Sequence, residues 1–210
     1  MQQNQNEVEK LLVEVRKSYR LLYQYQRRVL DLVDYIGKRF GFSYAGGYSK
    51  FSNVTPREGK GNLTNWAWDW LNMYYYEFRF RTKQVNNGHL DFSIAILSDT
   101  GFFMARESND KIDPTMVSKF ADVDNSETHL VLIVGKNIWD SFWGDWNNQT
   151  FTMKKSDFKD FDGDKVMLFK HYKLKDFFNE ESANQQLLDF ERFCLEKGVE
   201  FKLVENKIER

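Results

Sequence analysis

The chain has 210 residues, with 30 Lys and Arg against 31 Asp and Glu, one Cys, two Pro and a mean hydropathy of −0.64. Aromatic residues make up 17% of it, which excludes disorder for the bulk of the chain, because disordered segments lack the large side chains that fill cores. No apolar run approaches the roughly 20 residues that span a bilayer, the N-terminus lacks the basic-then-apolar pattern of a signal peptide, and the lone Cys194 excludes an internal disulfide framework. The expectation is a cytoplasmic protein with no membrane partner.

The near-neutral total hides an asymmetry, for residues 1–62 sum to +5, residues 63–111 to −1 and the remainder to −5. A charge of +5 falls short of the dense basic stripe of a dedicated nucleic-acid binder, so nucleic acid is possible as a partner but not favoured.

Stepping by seven from Val8 gives Val8, Val15, Leu22, Val29 and Ile36, and four positions later come Leu12, Tyr19, Gln26, Val33 and Phe40. Only Gln26 breaks the second row. With no Gly or Pro before Gly37, residues 1–40 read as one amphipathic helix of roughly 30 residues, over 40 Å long at about 1.5 Å per residue. Arg16, Lys17, Arg20 and Arg27 fall on its outward positions and read as a solvated back. The apolar stripe suits either packing on its own domain or a coiled-coil seam between chains, making the protein a homo-oligomer through Val8, Leu12, Val15, Tyr19, Leu22, Val29, Val33 and Ile36.

Gly37 and Gly41 are expected to end the helix. Residues 41–62 contain five Gly, one Pro, four Ser or Thr and two Asn, the composition of a loop. The run Gly59-Lys60-Gly61-Asn62 is not a phosphate-binding P-loop, since the required glycine spacing and preceding strand are missing.

Residues 63–210 read as an α+β domain. Leu63 to Trp70 fits a helical face and an alternating strand equally well. Past Met73 the alternation decides: Tyr74, Tyr76, Phe78 and Phe80 point one way, and Glu77, Arg79 and Arg81 the other. A three-residue loop of Asn86, Asn87 and Gly88 predicts Phe80 opposite Ile94 and Phe78 opposite Ile96, segregating polarity, with Lys83 opposite Asp91 and Arg81 opposite Ser93. His129 to Val134 is continuous and apolar, hence a central strand covered on both faces. Further strands are expected near Phe151 to Met153, from Lys165 to Tyr172 and from Glu200 to Val204. A C-terminal helix opens with a Ser182-x-x-Gln185 capping box, carries Leu187, Leu188, Phe190, Phe193, Cys194 and Leu195, and ends at Gly198. Cys194 reads as a buried structural thiol. The fold class is therefore α+β: a mainly antiparallel sheet packed by a long N-terminal helix and a C-terminal helix.

Sites of chemistry are sparse. The three His lack zinc spacing, and the acidic run 157–165 fails the calcium-loop pattern, since Lys165 stands where Gly is needed and His171 where Glu is needed. A turn with Gly163 supplying the special backbone angle fits better. No metal or cofactor is expected. Glu200-Phe201-Lys202 on one strand with Asp91 and Glu77 on others resembles, in residue types only, the acid and lysine set of a metal-dependent nuclease. That gives the alternative catalytic set Asp91, Glu77, Glu200 and Lys202. Six Trp in two clusters, with basic residues nearby, instead suit stacking and recognition. The reading is a non-catalytic interaction or regulatory protein that binds a protein or small ligand through an aromatic-rich surface of Tyr48, Phe51, Trp139, Trp143, Trp146, Arg79 and Arg81, and self-associates through its N-terminal helix. The alternative is a nuclease or other enzyme acting on nucleic acid.

Overall fold

A computed structural model describes residues 2–49, 75–108, 112, 116–138 and 155–204 of the chain. It divides into two compact units, residues 1–36 and 37–210.

Helix α1 runs from Gln2 to Arg39, 38 residues without interruption, close to the predicted bounds 1–40, and it passes through Gly37, where an end was expected. The stop comes at Gly41, whose φ of +71° is the left-handed angle that glycine adopts without strain. There Phe42 N–H donates to Gly37 O at 2.8 Å and Gly41 N–H to Lys38 O at 3.0 Å, closing the last turn. Along the first unit Arg16 pairs with Glu9 at 2.7 Å and Lys17 with Glu14 at 2.8 Å. These exposed pairs contribute about 0–1 kcal/mol each.

Among the described residues the second unit holds a seven-stranded sheet whose strand pairs are all antiparallel. Its strands are β1 (Tyr44–Ser49), β2 (Tyr76–Phe80), β3 (Lys83–Val85), β4 (Gly88–Leu97), β5 (His129–Lys136), β6 (Ser156–Asp160) and β7 (Val166–Lys173), with α2 (Gly101–Ser108) between β4 and β5 and α3 (Glu180–Glu196) after β7. The spatial order is β1-β2-β4-β5-β7-β6, with β3 also on β4. The α+β class holds. Strand β5 lies at the centre, its residues Leu130 to Val134 buried, as a continuous apolar run requires.

Alternation assigns the two faces. Phe80, Phe92, Ile94, Leu130 and Leu132 share one face, where Phe92 packs on Phe40, Phe42 and Phe201 with ring centroids 5.1–5.6 Å apart. Phe190 of α3 closes that layer against Phe40 and Phe201. On the other face Ala95, Leu97, Val131, Ile133, Met167 and Phe169 form a second core with Phe102 and Phe103 of α2, a helix the sequence reading did not contain.

Four local expectations change. Part of the stretch read as a loop is strand β1, paired along the edge of β2 with a bulge between Tyr44 and Gly46. A Cβ on Gly47 would stand 2.5 Å from Glu77 O, so close strand approach explains that glycine. The hairpin segregates polarity as predicted, but Phe78 faces Ile94, Arg79 faces Ser93 and Lys83 faces Leu90. The predicted pairs Phe80 with Ile94, Phe78 with Ile96, Arg81 with Ser93 and Lys83 with Asp91 are therefore not formed. The turn is Asn86-Asn87, and the register slips at Arg81-Thr82, which separate β2 from β3. The cap of α3 is Asn179, whose Oδ1 accepts from Glu181 N–H at 2.9 Å and Ser182 N–H at 3.2 Å. The helix thus starts at Glu180, before the predicted Ser182 box, because Asn179 has the extended backbone an N-cap needs. The strand expected from Glu200 to Val204 does not form: residues 199–204 follow Gly198 without regular secondary structure, outside the sheet, and Phe201 N–H turns back to Val199 O at 2.9 Å. The strand expected at Phe151 to Met153, and the choice of helix or strand for Leu63 to Trp70, lie outside the described residues.

Candidate functional site

The recognition residues of the sequence reading divide sharply. Phe51, Trp139, Trp143 and Trp146 lie outside the described residues. Tyr48 stands on β1 opposite Glu77. Arg79 is half-buried on β2 with its Nε 3.3 Å from Glu77 Oε1, and Arg81 is exposed, its N–H donating to Ser43 O at 2.8 Å.

The polar side of β2 and β4 is not the solvated face that alternation suggested. Glu77, Asp91 and Ser93 are all buried there. A buried carboxylate is costly unless it is compensated, and each acid has partners: Arg79 beside Glu77, and for Asp91 the Thr82 hydroxyl at 2.5 Å and His89 Nε2 at 3.3 Å. Burial, followed by the charge of Glu77, pushes the Tyr75 hydroxyl well above its ordinary pKa.

The nuclease set does not converge with them. Glu200 sits beside Phe201, which packs on the opposite face against Phe92, and it pairs at 2.5 Å with Lys202. Among the described residues no three His, Cys, Asp or Glu side chains are grouped so as to hold a metal ion. At the far end of β5 and β7, His129 Nδ1 and His171 Nδ1 are 3.4 Å apart, while Glu127 accepts from His129 Nε2 at 2.9 Å and pairs with Lys173. The Lys173 ammonium and then the His129 ring lower the Glu127 pKa to about 2.

Of the acidic run 157–165, Asp157 to Asp160 belong to β6 and the chain turns over residues 161–164, with Gly163 supplying the left-handed angle as expected. Asp160 Oδ1 accepts from Gly163 N–H at 2.7 Å and Asp162 N–H at 3.1 Å, and Gly163 has a φ of +61°.

A cavity of about 550 Å³ opens at one end of the helix-covered face. Its floor is Phe40, Phe42 and Phe201, delivered by the two chain segments that leave α1 and α3. The second segment is aimed by a left-handed Gly198 (φ +76°) and a Val199 N–H bond to Cys194 O at 2.9 Å, which end α3 and turn Phe201 onto Phe40, centroids 4.4 Å apart. One wall is the β3–β4 hairpin, with Gln84, Asn86 and Asn87 at its tip. Three ammonium groups line the space: Lys83, 5.4 Å from the Phe42 centroid; Lys136, 2.8 Å from Asp164 Oδ1; and Lys202 beside Glu200. Hydrogen bonding to Lys136 lowers the Asp164 pKa, and Glu200 and Lys202 shift each other toward their charged forms.

Asn137 fastens the wall. It has a positive φ of 56°, accepts from His89 N–H through Oδ1 at 2.8 Å, and donates through Nδ2 to Asn87 O at 3.3 Å and to Asp164 Oδ2 at 2.9 Å. Gly88 must be glycine, since its φ is +116° and a Cβ would meet Asn137 Oδ1 at 1.7 Å. The sequence reading missed Lys83, Lys136 and Asn137 as site residues. The Asn-Asn-Gly turn was visible, but its meeting with residues near 40, 136 and 200 depends on sheet order.

Together these features define an α+β protein with an antiparallel sheet covered on both faces and a lysine-lined cavity at one end. The chain matches the PM0109 family over residues 5–200 and belongs to that family. Neither the curated proteins nor the solved structures contain a match to it. Among the described residues no helix is long and apolar enough to cross a membrane.

Proposed function

We propose that the chain is a non-catalytic recognition protein of the cytoplasm that self-associates through α1 and binds a protein or small ligand on its α+β unit. The observation that supports this reading is the state of the apolar row: Val8, Leu12, Val15, Tyr19 and Leu22 are each 40–54% exposed. Val29, Val33 and Ile36, later in the same row, are buried, so the seam is the N-terminal part of the helix. Leu11, Leu21 and Tyr23 beside it are more than 60% exposed. Leaving such side chains in water forfeits about 25 cal/mol for each Å² of apolar surface, and contiguous exposed apolar surface of this kind marks an interaction site. The occupant we assign is a second copy of α1, because a heptad-spaced row meets its own equivalent row in register. Tyr48, Phe51, Trp139, Trp143 and Trp146, with Arg79 and Arg81, remain the proposed aromatic recognition surface.

Light scattering on the full chain tests the seam. The protein is expected to be at least a dimer at micromolar concentration, and Leu12→Glu combined with Leu22→Glu is expected to give a monomer with undiminished helical circular dichroism. A monomeric parent protein would sink the reading.

A further inference from the structure

We infer that the cavity floored by Phe40, Phe42 and Phe201 is a binding site for a small organic anion, whose phosphate or carboxylate group is held by Lys83 and Lys136 while its apolar part rests on Phe42 and Val85. This deepens the recognition reading in one respect, that the chain holds a ligand without converting it, and does not depend on association through α1. A volume of about 550 Å³ falls within the roughly 300–1,000 Å³ of small-molecule sites. Among the described residues its lining carries three lysines against one acid, Glu200, a net +2 in a chain whose total is −1.

The three lysines are not equally committed. Lys202 is neutralised by Glu200. Lys136 faces Asp164, a side chain 67% exposed, so exchanging that carboxylate for a ligand's costs little, surface pairs being weak. Lys83 makes no ion pair among the described residues, and its ammonium lies over the Phe42 ring. An anion entering here gains charge-assisted hydrogen bonds from ammonium groups already gathered. The Gln84, Asn86 and Asn87 side chains at the hairpin tip add neutral donors, and Phe42, Val85 and Leu90 supply the apolar contact that favours an organic anion over an inorganic one.

Calorimetric titration of the full-length protein with phenyl phosphate, benzoate, inorganic phosphate and phenol is the test. One or both aromatic anions are expected to bind one per chain, with affinity falling as salt is raised. Which of the two binds more tightly tells phosphate from carboxylate. Inorganic phosphate should bind more weakly, and phenol should not bind measurably. Lys83→Gln is expected to lower affinity by about tenfold or more, the loss of a hydrogen bond to a charged group, and Lys83→Arg to retain most of it. Lys83 is exposed, so neither change should move the unfolding midpoint. The inference is overturned if neither aromatic anion binds at millimolar concentration, if phenol binds as well as phenyl phosphate, or if Lys83→Gln and Lys136→Gln both leave affinity unchanged. The light-scattering result stands or falls separately, so failure of the anion site and failure of the association reading are distinguishable.

Discussion

At Gly37 two residue-level effects oppose each other. Replacing a mid-helix glycine by alanine ordinarily gains about 1 kcal/mol. Here a Cβ would lie 2.2 Å from Phe80 Cε1, and that ring cannot retreat, being stacked on Phe92 at 4.9 Å. Overpacking of this kind costs typically 1–3 kcal/mol, so Gly37→Ala should lower the urea midpoint, and a raised midpoint would show that the ring gives way. Cys194 is fully buried, and burial pushes its thiol pKa well up. Its reaction with a thiol reagent at neutral pH is expected to be slow until denaturant is added; rapid labelling of the native protein would contradict its placement. Glu127 carries the pH prediction. Its folded pKa, about 2, lies below the ordinary 4.5, so the carboxylate contributes stability above about pH 4.5 that is lost as pH falls toward 2. The side chain is 41% exposed, which keeps the effect small through solvent screening. A carbon-detected titration should place its midpoint well below the normal carboxylate range, and Lys173→Ala should bring it back up.

Elements were legible where one periodicity was unopposed. The α1 stripe, the buried β5 run and the polarity-segregating hairpin could be read because side-chain alternation or heptad spacing decides them locally. The hairpin register could not be read, because the slip at Arg81-Thr82 is a property of β4 meeting two short strands in succession. Strand β1 was missed for a similar reason: its glycines look like a loop, yet they satisfy a sheet edge that only β2 creates. The cap of α3 shows a competition between two plausible signals, which the extended backbone of Asn179 settles. Asn179→Ala should cost about 1 kcal/mol, and Ser182→Ala much less; the reverse order in thermal melts would restore the capping box. Of the site, the turn residues were visible and the lysines were not, since Lys83, Lys136 and Lys202 are far apart in sequence and only the folded sheet gathers them.

Across the whole molecule, the charge asymmetry by sequence position does not predict local potential. The acidic last segment of the chain, at −5, supplies two of the three cavity lysines, Lys136 and Lys202. Counting charge along the chain therefore pointed away from the region where positive charge collects. The two-faced burial of the sheet likewise turns a pattern that reads as half solvated into two cores, with the buried acids Glu77 and Asp91 as its polar content.

The Asn137 side chain ties the β3–β4 turn to the segment linking β6 and β7, two connections that are otherwise independent loops. Joined in this way they should open to solvent as one cooperative unit. In native-state hydrogen exchange the amide protons of His89 and Asn137, the latter donating to His89 O at 3.0 Å, are expected to share one opening free energy. Asn137→Gly, which tolerates the positive φ and removes the side chain with its amide group, should then let both exchange faster by a similar factor while leaving Leu132 at the centre of β5 as slow as before.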